Sequence, residues 1–309
     1  MLQLLDLAGI YFRAFFAVPG STTAPGGRPN NAIRGSLDII RRVIDDAKPD
    51  RVVACLDLDW RPAFRVAAIP SYKTHRVLVS APAVRGVAQE VVPDDLSPQV
   101  PVLLDVLSAI GIALAGAQGF EADDVIGTLA TRAREPVEVV TGDRDLFQLA
   151  DDDQPPVRVR YIGAGMAKTE VLSAQQVSTK YGIPIGGYAD FAALRGDPSD
   201  GLPGVPGIGD KTAASLITRF GSLEGLAAAT AEPSSGLSPS MRHKLTPAVS
   251  YLEAAALVVR VERDATVTTD RDDPLLPVAP ADPERLNELC DRWGLRNAVD
   301  RLLGVLATR

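Results

Sequence analysis

Residues 119–149 organise the chain, because they predict a helix, a short strand and a second helix in succession. The segment GFEADDVIGTLA reads as the start of an apolar-periodic helix, VEVV as a short buried strand, and TGDRD as the turn into the next helix. Strands that alternate with helices are typical of an α/β protein with a mostly parallel sheet. In such a sheet, the carboxyl ends of the strands and the amino ends of the helices face one crevice. We therefore predict an α/β fold with a crevice at this edge.

Five acidic residues lie in this stretch, and together they indicate a divalent metal ion. Glu121, Asp123 and Asp124 open the first helix, and Asp143 and Asp145 follow the strand. One or two acids at a helix start are explained by the positive end of the helix dipole. A second acidic pair at the next strand end is not, because crowded like charges repel unless a cation lies among them. Oxygen ligands suit Mg²⁺ or Mn²⁺, so we interpret the stretch as half of a divalent-metal site.

Further acids stand where other elements end. Asp6 ends the apolar strand LQLLDL, Asp57 and Asp59 end RVVACLDLD, and Asp197 and Asp200 lie in the segment GDPSDG. Taken alone, Asp6 is explained better as the N-cap of the following helix than as a ligand. Alternation along an extended chain puts Asp57 and Asp59 on the same side. Asp57 is favoured because it follows directly on the apolar run, but the pattern leaves both open.

The composition argues against several other classes of protein. The chain of 309 residues is long enough for one large and one small domain, and no apolar run in it is long enough to cross a membrane. The start MLQLLDLAGI lacks the basic region of a signal peptide, and Cys55 and Cys290 show no metal-ligand spacing, so we expect a reduced, cytoplasmic setting. Two histidines, His75 and His243, leave little room for a zinc site or a Ser-His-Asp site.

The distribution of charge favours a phosphate-bearing substrate, although the net charge of −7 does not. There is no acid between Trp60 and Gln89, whereas Arg and Lys occur there at Arg61, Arg65, Lys73, Arg76 and Arg85. A solvated basic helix is the simplest explanation of such a run. Beside an acidic metal site, however, the run suits a phosphate-bearing substrate. Tyr72 next to Lys73 offers an aromatic face for a base and a cation for a phosphate.

The segment GVPGIGDKT, which we call the Gly-rich turn (residues 204–212), indicates contact with an anion. Its spacing fits neither the Walker pattern nor the GxGxxG pattern of nucleotide-binding loops. Closely spaced glycines let a backbone approach a ligand, and the apolar helix that follows presents free N–H groups to an anion. We interpret the turn and its helix as a grip on the phosphates of one DNA strand that is independent of base sequence.

The remaining pattern predicts a loop at 19–30, a helix through about Asp46, another helix that ends at Gly111, and strands IALAGA and VRVRYIG. Residues 173–195 predict helix with a break near Pro184. The rest predicts short helices with a connection rich in Pro and Asp at 272–283, and Trp293 is expected to pack in a core.

With these motifs in order, the sequence resembles the 5′-nucleases, which include the 5′→3′ exonuclease domain of bacterial DNA polymerase I, stand-alone bacterial exonucleases and flap endonucleases. The resemblance covers about residues 2–230. It is carried by LLD and YFRAFFA, CLDLDWRPAFR, IPSYKTHR, GFEADDVIGTLA, TGDRDLFQL and RGDPSDGLPGVPGIGDKTA. The chain stops where a polymerase would begin, so we expect a stand-alone member.

The resemblance implies roles for individual residues. The metal site is implied at Asp6, Asp57, Glu121, Asp123, Asp124, Asp143, Asp145, Asp197 and Asp200. Arg13 and Lys73 match basic residues near the scissile phosphate. Contacts with DNA are expected from Tyr72, Arg76, Gly204, Gly207, Gly209, Lys211 and Thr212. Two or more divalent ions, Mg²⁺ or Mn²⁺, are implied, and some relatives also hold K⁺ at the Gly-rich turn.

The implied fold is a PIN-like, mostly parallel sheet flanked by helices. We expect residues 1–172 to form the α/β nuclease core, with a helical arch at 71–93 that admits the 5′ single strand. We expect residues 173–309 to form a helical DNA-binding region, with a helix–three-turn–helix motif at about 197–221. The expected partner is DNA with a 5′ flap, nick, gap or 5′ single strand. We expect a monomer that works separately from a DNA polymerase. We expect it to be bound to the nucleoid when it is on DNA, and we expect no membrane partner.

The implied reaction is metal-assisted hydrolysis of phosphodiesters at 5′ ends and 5′ flaps, in replication and repair. Setting the nine candidate ligands aside leaves a small net positive charge, so the acidity no longer argues against DNA. Two alternatives share part of the pattern. A PIN-type ribonuclease has the acidic α/β core but is disfavoured by the Gly-rich turn, which suits duplex DNA. A non-catalytic DNA-binding protein is disfavoured because all nine acids are present.

Overall fold

The computed structural model describes residues 1–78 and 89–308, and in them a seven-stranded sheet forms the centre of the fold. The strands are β1 (Leu2–Asp6), β2 (Arg51–Leu56), β3 (Ala113–Gly116), β4 (Val137–Thr141), β5 (Val157–Tyr161), β6 (Glu170–Leu172) and β7 (Thr268–Thr269). Their order is β6-β5-β4-β1-β2-β3-β7. The central strands β5, β4, β1, β2 and β3 are parallel, and the edge strands β6 and β7 are antiparallel to their neighbours. This confirms the predicted mostly parallel α/β core.

Helices cover both faces of the sheet and make up most of the chain after β6. In the described residues they are α1 (Leu7–Ala17), α2 (Asn31–Ala47), α3 (Ala63–Ala68), α4 (Gln99–Ile110), α5 (Ala122–Arg132), α6 (Ala174–Tyr181), α7 (Tyr188–Arg195), α8 (Asp210–Phe220), α9 (Leu223–Ala231), α10 (Pro239–Leu245), α11 (Val249–Val259), α12 (Pro283–Trp293) and α13 (Arg296–Ala307). The predicted break near Pro184 separates α6 from α7. Among these helices, none combines the length and the apolar character needed to span a membrane.

The sheet buries side chains on both of its faces. In β1, Leu4 packs with Val53 and Val139 on one side, whereas Leu5 packs with Ile33 and Leu37 of α2 on the other. Both leucines are fully buried. A strand that is covered on both faces needs apolar residues at successive positions, which explains why LQLLD is a nearly continuous apolar run.

Residues 268–308 return to the α/β core, although we expected residues 173–309 to form one helical DNA-binding region. Thr269 of β7 pairs with Ala115 of β3 at the edge of the sheet. Leu286 of α12 and Leu302 of α13 are buried in the same cluster as Leu37 of α2. The pattern of short amphipathic helices was correct, but an amphipathic pattern does not show which surface a helix packs on. Trp293 is buried, as expected.

The predicted arch at 71–93 lies only partly within the described residues, because residues 79–88 are outside them. Its described ends, residues 71–78 and 89–93, form what we call the arch base. The base contains one 3₁₀ turn, Thr74–Arg76. Leu78 N donates to Gln89 O, and Val91 N donates to Arg76 O, both at 2.7 Å. The two ends of the arch therefore lie side by side.

The carboxyl edge of the parallel strands brings several acids together. Asp6 is the last residue of β1, Asp57 follows β2, and Asp143 follows β4 after one intervening glycine. The N-terminus of α5, with Asp123 in its first turn, lies at the same edge because a helix follows β3 on the way to β4. This is the crevice that the sequence predicts.

Candidate active site

A cavity of about 420 Å³ opens at this carboxyl edge, and both charge signs line it. We call it the acidic cavity. Its acids are Asp6, Asp57, Glu90, Glu121, Asp123, Asp143 and Asp197. Its basic residues are Arg13, Lys73, Arg76 and Arg144. Phe12, Phe16, Trp60 and Tyr161 add apolar surface at the rim. Residues from distant parts of the chain thus meet where the sequence predicts a metal site.

Asp6 serves both of the roles that the sequence leaves open. Its Oδ1 accepts from Gly9 N at 2.8 Å, so it is the N-cap of α1. Its Oδ2 accepts from the Thr141 hydroxyl at 2.9 Å, and the side chain lines the cavity. A Cβ at Gly9 would lie 2.3 Å from Asp6 Oδ2, so only glycine leaves room for this carboxylate. The cap therefore fixes the acid at the cavity wall.

The choice between Asp57 and Asp59 is decided by their positions. Asp57 lines the cavity, and its Oδ1 accepts from Ala122 N at the start of α5, at 2.7 Å. Asp59 accepts from Arg61 N at 3.1 Å in the exit loop, and it is not among the residues that line the cavity. The structure thus favours Asp57 over Asp59, as the apolar run suggests.

The turn after β4 holds Asp143 and Asp145 by backbone hydrogen bonds. Asp143 N donates to the Thr141 hydroxyl, and Asp145 N donates to Asp143 Oδ1, both at 2.8 Å. Asp145 is buried, and its Oδ1 has no hydrogen-bond partner among the described residues. A buried carboxylate oxygen without a partner is costly unless a cation completes it. Asp145 therefore fits a ligand or a near neighbour of an ion.

Asp197 and Asp200 lie in a loop that is bonded to the arch base. Lys73 N donates to Asp200 O at 2.9 Å, and Arg76 Nη2 donates to Ser199 O at 2.8 Å. Gly201 has a φ of +73°, and a Cβ there would lie 2.4 Å from Ser71 O. Only glycine permits this approach. The third acidic pair and the arch base therefore form one bonded unit beside the cavity.

Asp124 requires a correction, because the structure directs it away from the cavity. It is fully buried, and both of its oxygens accept from Arg65, with Arg65 Nη2 2.6 Å from Oδ1 and Nη1 2.7 Å from Oδ2. Glu262 N also donates to Oδ1 at 2.8 Å. Spacing in the sequence gives Asp124 the same helix start as Asp123 but not the same face. We therefore leave Asp124 out of the direct ligands.

Glu121 lines the cavity, but donors already occupy both of its oxygens. Arg65 Nη1 and the Tyr72 hydroxyl donate to Oε2 at 2.6 and 2.7 Å. Lys73 Nζ pairs with Oε1. The expectation that Tyr72 stacks on a base is therefore wrong, because its ring is buried and its hydroxyl holds Glu121.

Arg13 of α1 and Lys73 of the arch base both line the cavity. Arg13 Nη2 donates to Gly163 O at 2.6 Å, and its buried Nε has no partner among the described residues. Lys73 has a φ of +48°, which is unusual for a residue other than glycine. Arg76 also lines the cavity and lies 3.4 Å from Asp200 Oδ1. Both residues predicted near the scissile phosphate thus face the acids.

Sequence reasoning missed three charged residues of the site. Arg144 and Glu90 line the cavity. Arg144 lies between Asp143 and Asp145 in TGDRD, so its position in the motif was a signal for it. Glu90 follows directly on the acid-free segment. Arg65 does not line the cavity, and the sequence showed it only as one more basic residue in the run.

The Gly-rich turn leads into α8, and its residues differ in exposure. Gly207, Gly209 and Lys211 are exposed, and Thr212 is half-buried. Gly204 is buried, its φ is +65°, and a Cβ there would lie 2.3 Å from Arg195 O. The expectation that Gly204 contacts DNA is therefore corrected, since this glycine permits close packing inside the motif.

The acidic cavity raises the pKa of its carboxyl groups. Burial raises the pKa of Asp6 to about 6, and the charge of Asp57 adds to this against the opposing hydrogen bond from Gly9. Burial, then the charges of Asp143 and Asp6, hold the pKa of Asp123 well above its usual range. Burial and the charge of Asp143 do the same for the pKa of Asp145. Ionising these carboxyl groups at neutral pH is therefore less favourable here than in water.

The carboxylate oxygens that face the cavity are chemically suited to bind hard divalent cations. In the described part of the chain, no three acids already stand close enough together to hold one ion. Carboxylates that repel one another are expected to spread until a cation offsets their charge. The acids that face the cavity offer only oxygen donors, which suit Mg²⁺ or Mn²⁺. The orphaned Asp145 oxygen adds a donor without a competing partner.

In a chelator, the free energy of unfolding is expected to fall as the pH rises from about 4 to 6. The pKa of Asp6 is raised from 3.8 to about 6 in the folded protein, so over this interval the folded state holds a proton that the unfolded chain has released. Stability is therefore greatest below the interval and is lost as the pH passes the folded-state pKa. Mg²⁺ at pH 7 should restore it. Thermal unfolding midpoints across the interval, with and without Mg²⁺, check this.

The control for this prediction is Asp6→Asn, because asparagine keeps the N-cap and removes the titrating group. This variant should show a flatter pH dependence in chelator. A midpoint that climbs steadily from about pH 4 to 6 in the unmodified protein would contradict the expectation.

Comparisons with known proteins give the family. Residues 1–182 match the 5′-3′ exonuclease, N-terminal resolvase-like domain, and residues 183–284 match the 5′-3′ exonuclease, C-terminal SAM fold. The chain is 51% identical to a 5′-3′ exonuclease of Mycobacterium tuberculosis, over 99% of this chain and 98% of that protein. It is 52% identical to one from Streptomyces coelicolor, over 98% and 99%. It is 36% identical to DNA polymerase I of Mycobacterium bovis, over 99% of this chain but 32% of the polymerase.

Solved structures show the same fold at low identity. T5 5′-exonuclease with bound zinc is similar with a TM-score of 0.62 at 15% identity, over 99% of this chain and 98% of the other. The catalytic core of Rad2 in complex with a DNA substrate is similar with a TM-score of 0.59 at 18% identity, over 99% and 92%. The family matches, the long relatives and the shared fold agree with the predicted resemblance. The chain belongs to the 5′-3′ exonuclease family and is a 5′-nuclease.

Proposed function

We propose that this chain hydrolyses DNA phosphodiesters at 5′ ends and 5′ flaps, as a 5′→3′ exonuclease and flap endonuclease in replication and repair. The observation that carries the proposal is the acidic cavity, in which acids from the ends of three parallel strands face cations of the arch base. This combination suits a phosphodiester whose strand passes the arch base. The relatives named 5′-3′ exonuclease, similar along nearly their whole length, support the same reaction.

The residues that would hold the divalent ions are Asp6, Asp57, Asp123, Asp143 and Asp197, which line the cavity, together with Asp145 and Asp200, which do not line it but lie in the same loops as Asp143 and Asp197. This proposal differs from the nine-acid expectation in two ways. Asp124 is engaged by Arg65, and Glu121 by Arg65, Tyr72 and Lys73. Mg²⁺ or Mn²⁺ bound there would lower the pKa of an attacking water and stabilise the departing 3′ oxygen. Two or more such ions are proposed, because the acids are distributed around the cavity wall and do not converge on a single point.

Arg13 and Lys73 would stabilise the charge that develops on the phosphate. Arg13 is held by Gly163 O and has no carboxylate partner among the described residues, so its guanidinium is free to meet an anion. Lys73 pairs with Glu121 beside the same cavity. Fixed cations in a site that excludes water act on the transition state without reorganising. Arg76 and Arg144 would contact the 5′ strand nearby.

The Gly-rich turn would grip the duplex. Gly207, Gly209 and Lys211 are exposed, and α8 begins at Asp210, so free N–H groups and an ammonium meet at one surface. Such a surface suits the phosphates of one strand, and Thr212 would add a hydroxyl. The carbonyls of the turn are also proposed to accept K⁺, although Gly207 O already accepts from Lys244 Nζ at 3.3 Å.

Lys211→Ala is expected to weaken duplex binding by the same factor for every base sequence. The ammonium contacts phosphate and not bases, so it supplies affinity without specificity. The dependence of log affinity on log salt should become shallower by about one unit. Binding in chelator to several duplexes over a salt series measures both. A loss that varies with base sequence would contradict this role of the turn.

The proposed partner is DNA with a 5′ flap, nick, gap or 5′ single strand. We propose that the protein acts as a monomer in the cytoplasm and that a DNA polymerase works on its products as a separate protein. The relatives that match along 98% and 99% of their length are named 5′-3′ exonucleases without a polymerase, which supports the separation.

A cleavage assay tests the function. The unmodified protein is given a 5′-flap DNA, a blunt duplex and an RNA of matched sequence, each with Mn²⁺ and with chelator. We expect cleavage of the flap DNA near the junction, only with the metal. Faster cleavage of the RNA would favour a PIN-type ribonuclease, and binding without cleavage would favour a non-catalytic DNA-binding protein.

A further inference from the structure

Arg65 of α3 is a buried cation with two carboxylate partners at the start of α5, the N-cap Glu121 and Asp124 of the first turn. Its side chain is 2% exposed. Its Nη1 and Nη2 donate to the two oxygens of Asp124, and Nη1 also donates to Glu121 Oε2 at 2.6 Å. Its Nε donates to Val258 O of α11 at 2.9 Å. A planar guanidinium satisfies all of these acceptors at once, which an ammonium does not.

The carboxylate of Glu121 is the link between Arg65 and the cavity. Arg65 and Tyr72 donate to one of its oxygens, and Lys73 Nζ pairs with the other. Glu121 therefore faces Arg65 on its buried side and Lys73 on the cavity side. With the carboxylate fixed by two donors, the direction of the Lys73 ammonium is fixed as well.

The backbone of Lys73 is constrained in the same way. Its N–H donates to Asp200 O at 2.9 Å, and its φ of +48° is held by the surrounding structure. Its ammonium lies 5.1 Å from the centre of the Tyr72 ring. Two contacts of the side chain, with Glu121 and the Tyr72 ring, and one of the backbone therefore restrain the ammonium at the cavity wall.

We propose that Arg65 is a positioning residue for the cleavage reaction. It orients Glu121 and, through Glu121, places the Lys73 ammonium where the scissile phosphate is bound. The inference rests on the proposed function, in that Lys73 meets the phosphate. It gives Glu121 a role that the sequence did not indicate, as a clamp on a cation rather than a direct metal ligand.

The same contacts join the cavity to the second half of the chain. Asp124 Oδ1 accepts from Glu262 N, and Arg65 Nε donates to Val258 O. Val258 lies near the end of α11 and Glu262 lies three residues beyond it, in the half of the chain that contains the Gly-rich turn. Arg65 and Asp124 therefore hold α3, α5 and α11 against each other beneath Lys73.

The test is a double-mutant cycle in single-turnover cleavage of a 5′-flap DNA with Mn²⁺. Arg65→Lys keeps the charge and removes the forked contacts. It should lower the rate by about 10²-fold, as a misplaced catalytic group does. In a Lys73→Ala protein, the same change should leave the already reduced rate nearly unchanged, because residues that act as a unit are not additive. Duplex affinity in chelator should not change.

Arg160→Lys is the matched control. Arg160 forms a forked, buried pair with Glu138, at 2.8 and 3.1 Å, and neither residue lines the cavity. It should affect thermal stability in the same way but leave the cleavage rate close to that of the unmodified protein. Tyr72→Phe removes the other donor to the same Glu121 oxygen without emptying the core. It should also lower the rate only when Lys73 is present, and it serves if Arg65→Lys does not fold.

Two results would overturn the proposal. One is a rate loss from Arg65→Lys, or from Tyr72→Phe if that variant is used, that is equal with and without Lys73. The other is a loss no greater than that of Arg160→Lys. Failure of the proposed function would look different, because the unmodified protein would then not cleave the flap at all.

Discussion

Asp123→Asn is expected to lower the rate of DNA cleavage by about 10²- to 10³-fold, the range found when one electrostatic element of an active site is removed. Asp123 lines the cavity. Burial is the main reason why the pKa of Asp123 is raised, and the charges of Asp143 and Asp6 raise it further. Its carboxylate is therefore one that a cation would stabilise. The amide keeps the shape and one oxygen but removes the charge. Single-turnover cleavage of a 5′-flap DNA with Mn²⁺ measures the loss.

The same variant should bind DNA in chelator at least as tightly as the unmodified protein. One negative charge fewer in the cavity reduces repulsion of the phosphates, and like-charge crowding is relieved without opening a void. Stability should be equal or slightly higher for the same reason. If Asp123 only complemented the dipole of α5, cleavage would persist and stability would fall by well under about 1 kcal/mol. Near-normal cleavage would therefore remove Asp123 from the metal site.

Asp124→Asn is expected to destabilise the fold by about 3–5 kcal/mol, the range for breaking one side of a buried ion pair. The amide leaves the buried Arg65 without half of its bidentate partner and places an NH₂ group against a guanidinium. Cleavage should fall as well, because Arg65 loses the contact that holds it beside Glu121. Urea unfolding in chelator measures the stability, and the adjacent Asp123→Asn is the matched control.

These neighbouring acids separate two physical roles. Asp123→Asn should act on the reaction and spare the fold, and Asp124→Asn should act on the fold first. The opposite result for Asp124, full stability with cleavage abolished, would mean that it binds an ion directly. In that case the expectation from the sequence would stand, and the contact with Arg65 would be secondary.

The sequence was sufficient for the fold and for most of the cavity. A strand that ends in an acid and leads into a helix has one geometry in a parallel sheet, so Asp6, Asp57 and Asp143 were placed correctly by position alone. The N-cap and cavity roles of Asp6 turned out to be compatible, since different oxygens serve them. The family motifs added the third pair, Asp197 and Asp200, which no local pattern connects with the first acids.

The rest depended on contacts between distant segments. Asp124 is adjacent to Asp123, but its partner Arg65 is 59 positions away, and no local rule pairs them. The position of Tyr72 beside a lysine favours stacking on a base, yet burial and a hydroxyl bond to Glu121 exclude this. The glycine spacing predicts that Gly204 contacts a ligand, although the Arg195 carbonyl fills the space. In each case the residue type is visible in the sequence, but the contacts that decide its role come from distant segments.

The most direct test of the account is a single-turnover experiment on a 5′-labelled flap DNA with Mn²⁺, using the unmodified protein and Asp123→Asn side by side. The unmodified protein should release the labelled 5′ strand by cutting near the junction. The variant should bind the same DNA and release almost none. Similar rates for the two proteins, or cleavage of a matched RNA by the unmodified protein as fast as cleavage of the flap DNA, would contradict the proposed metal-dependent DNA nuclease.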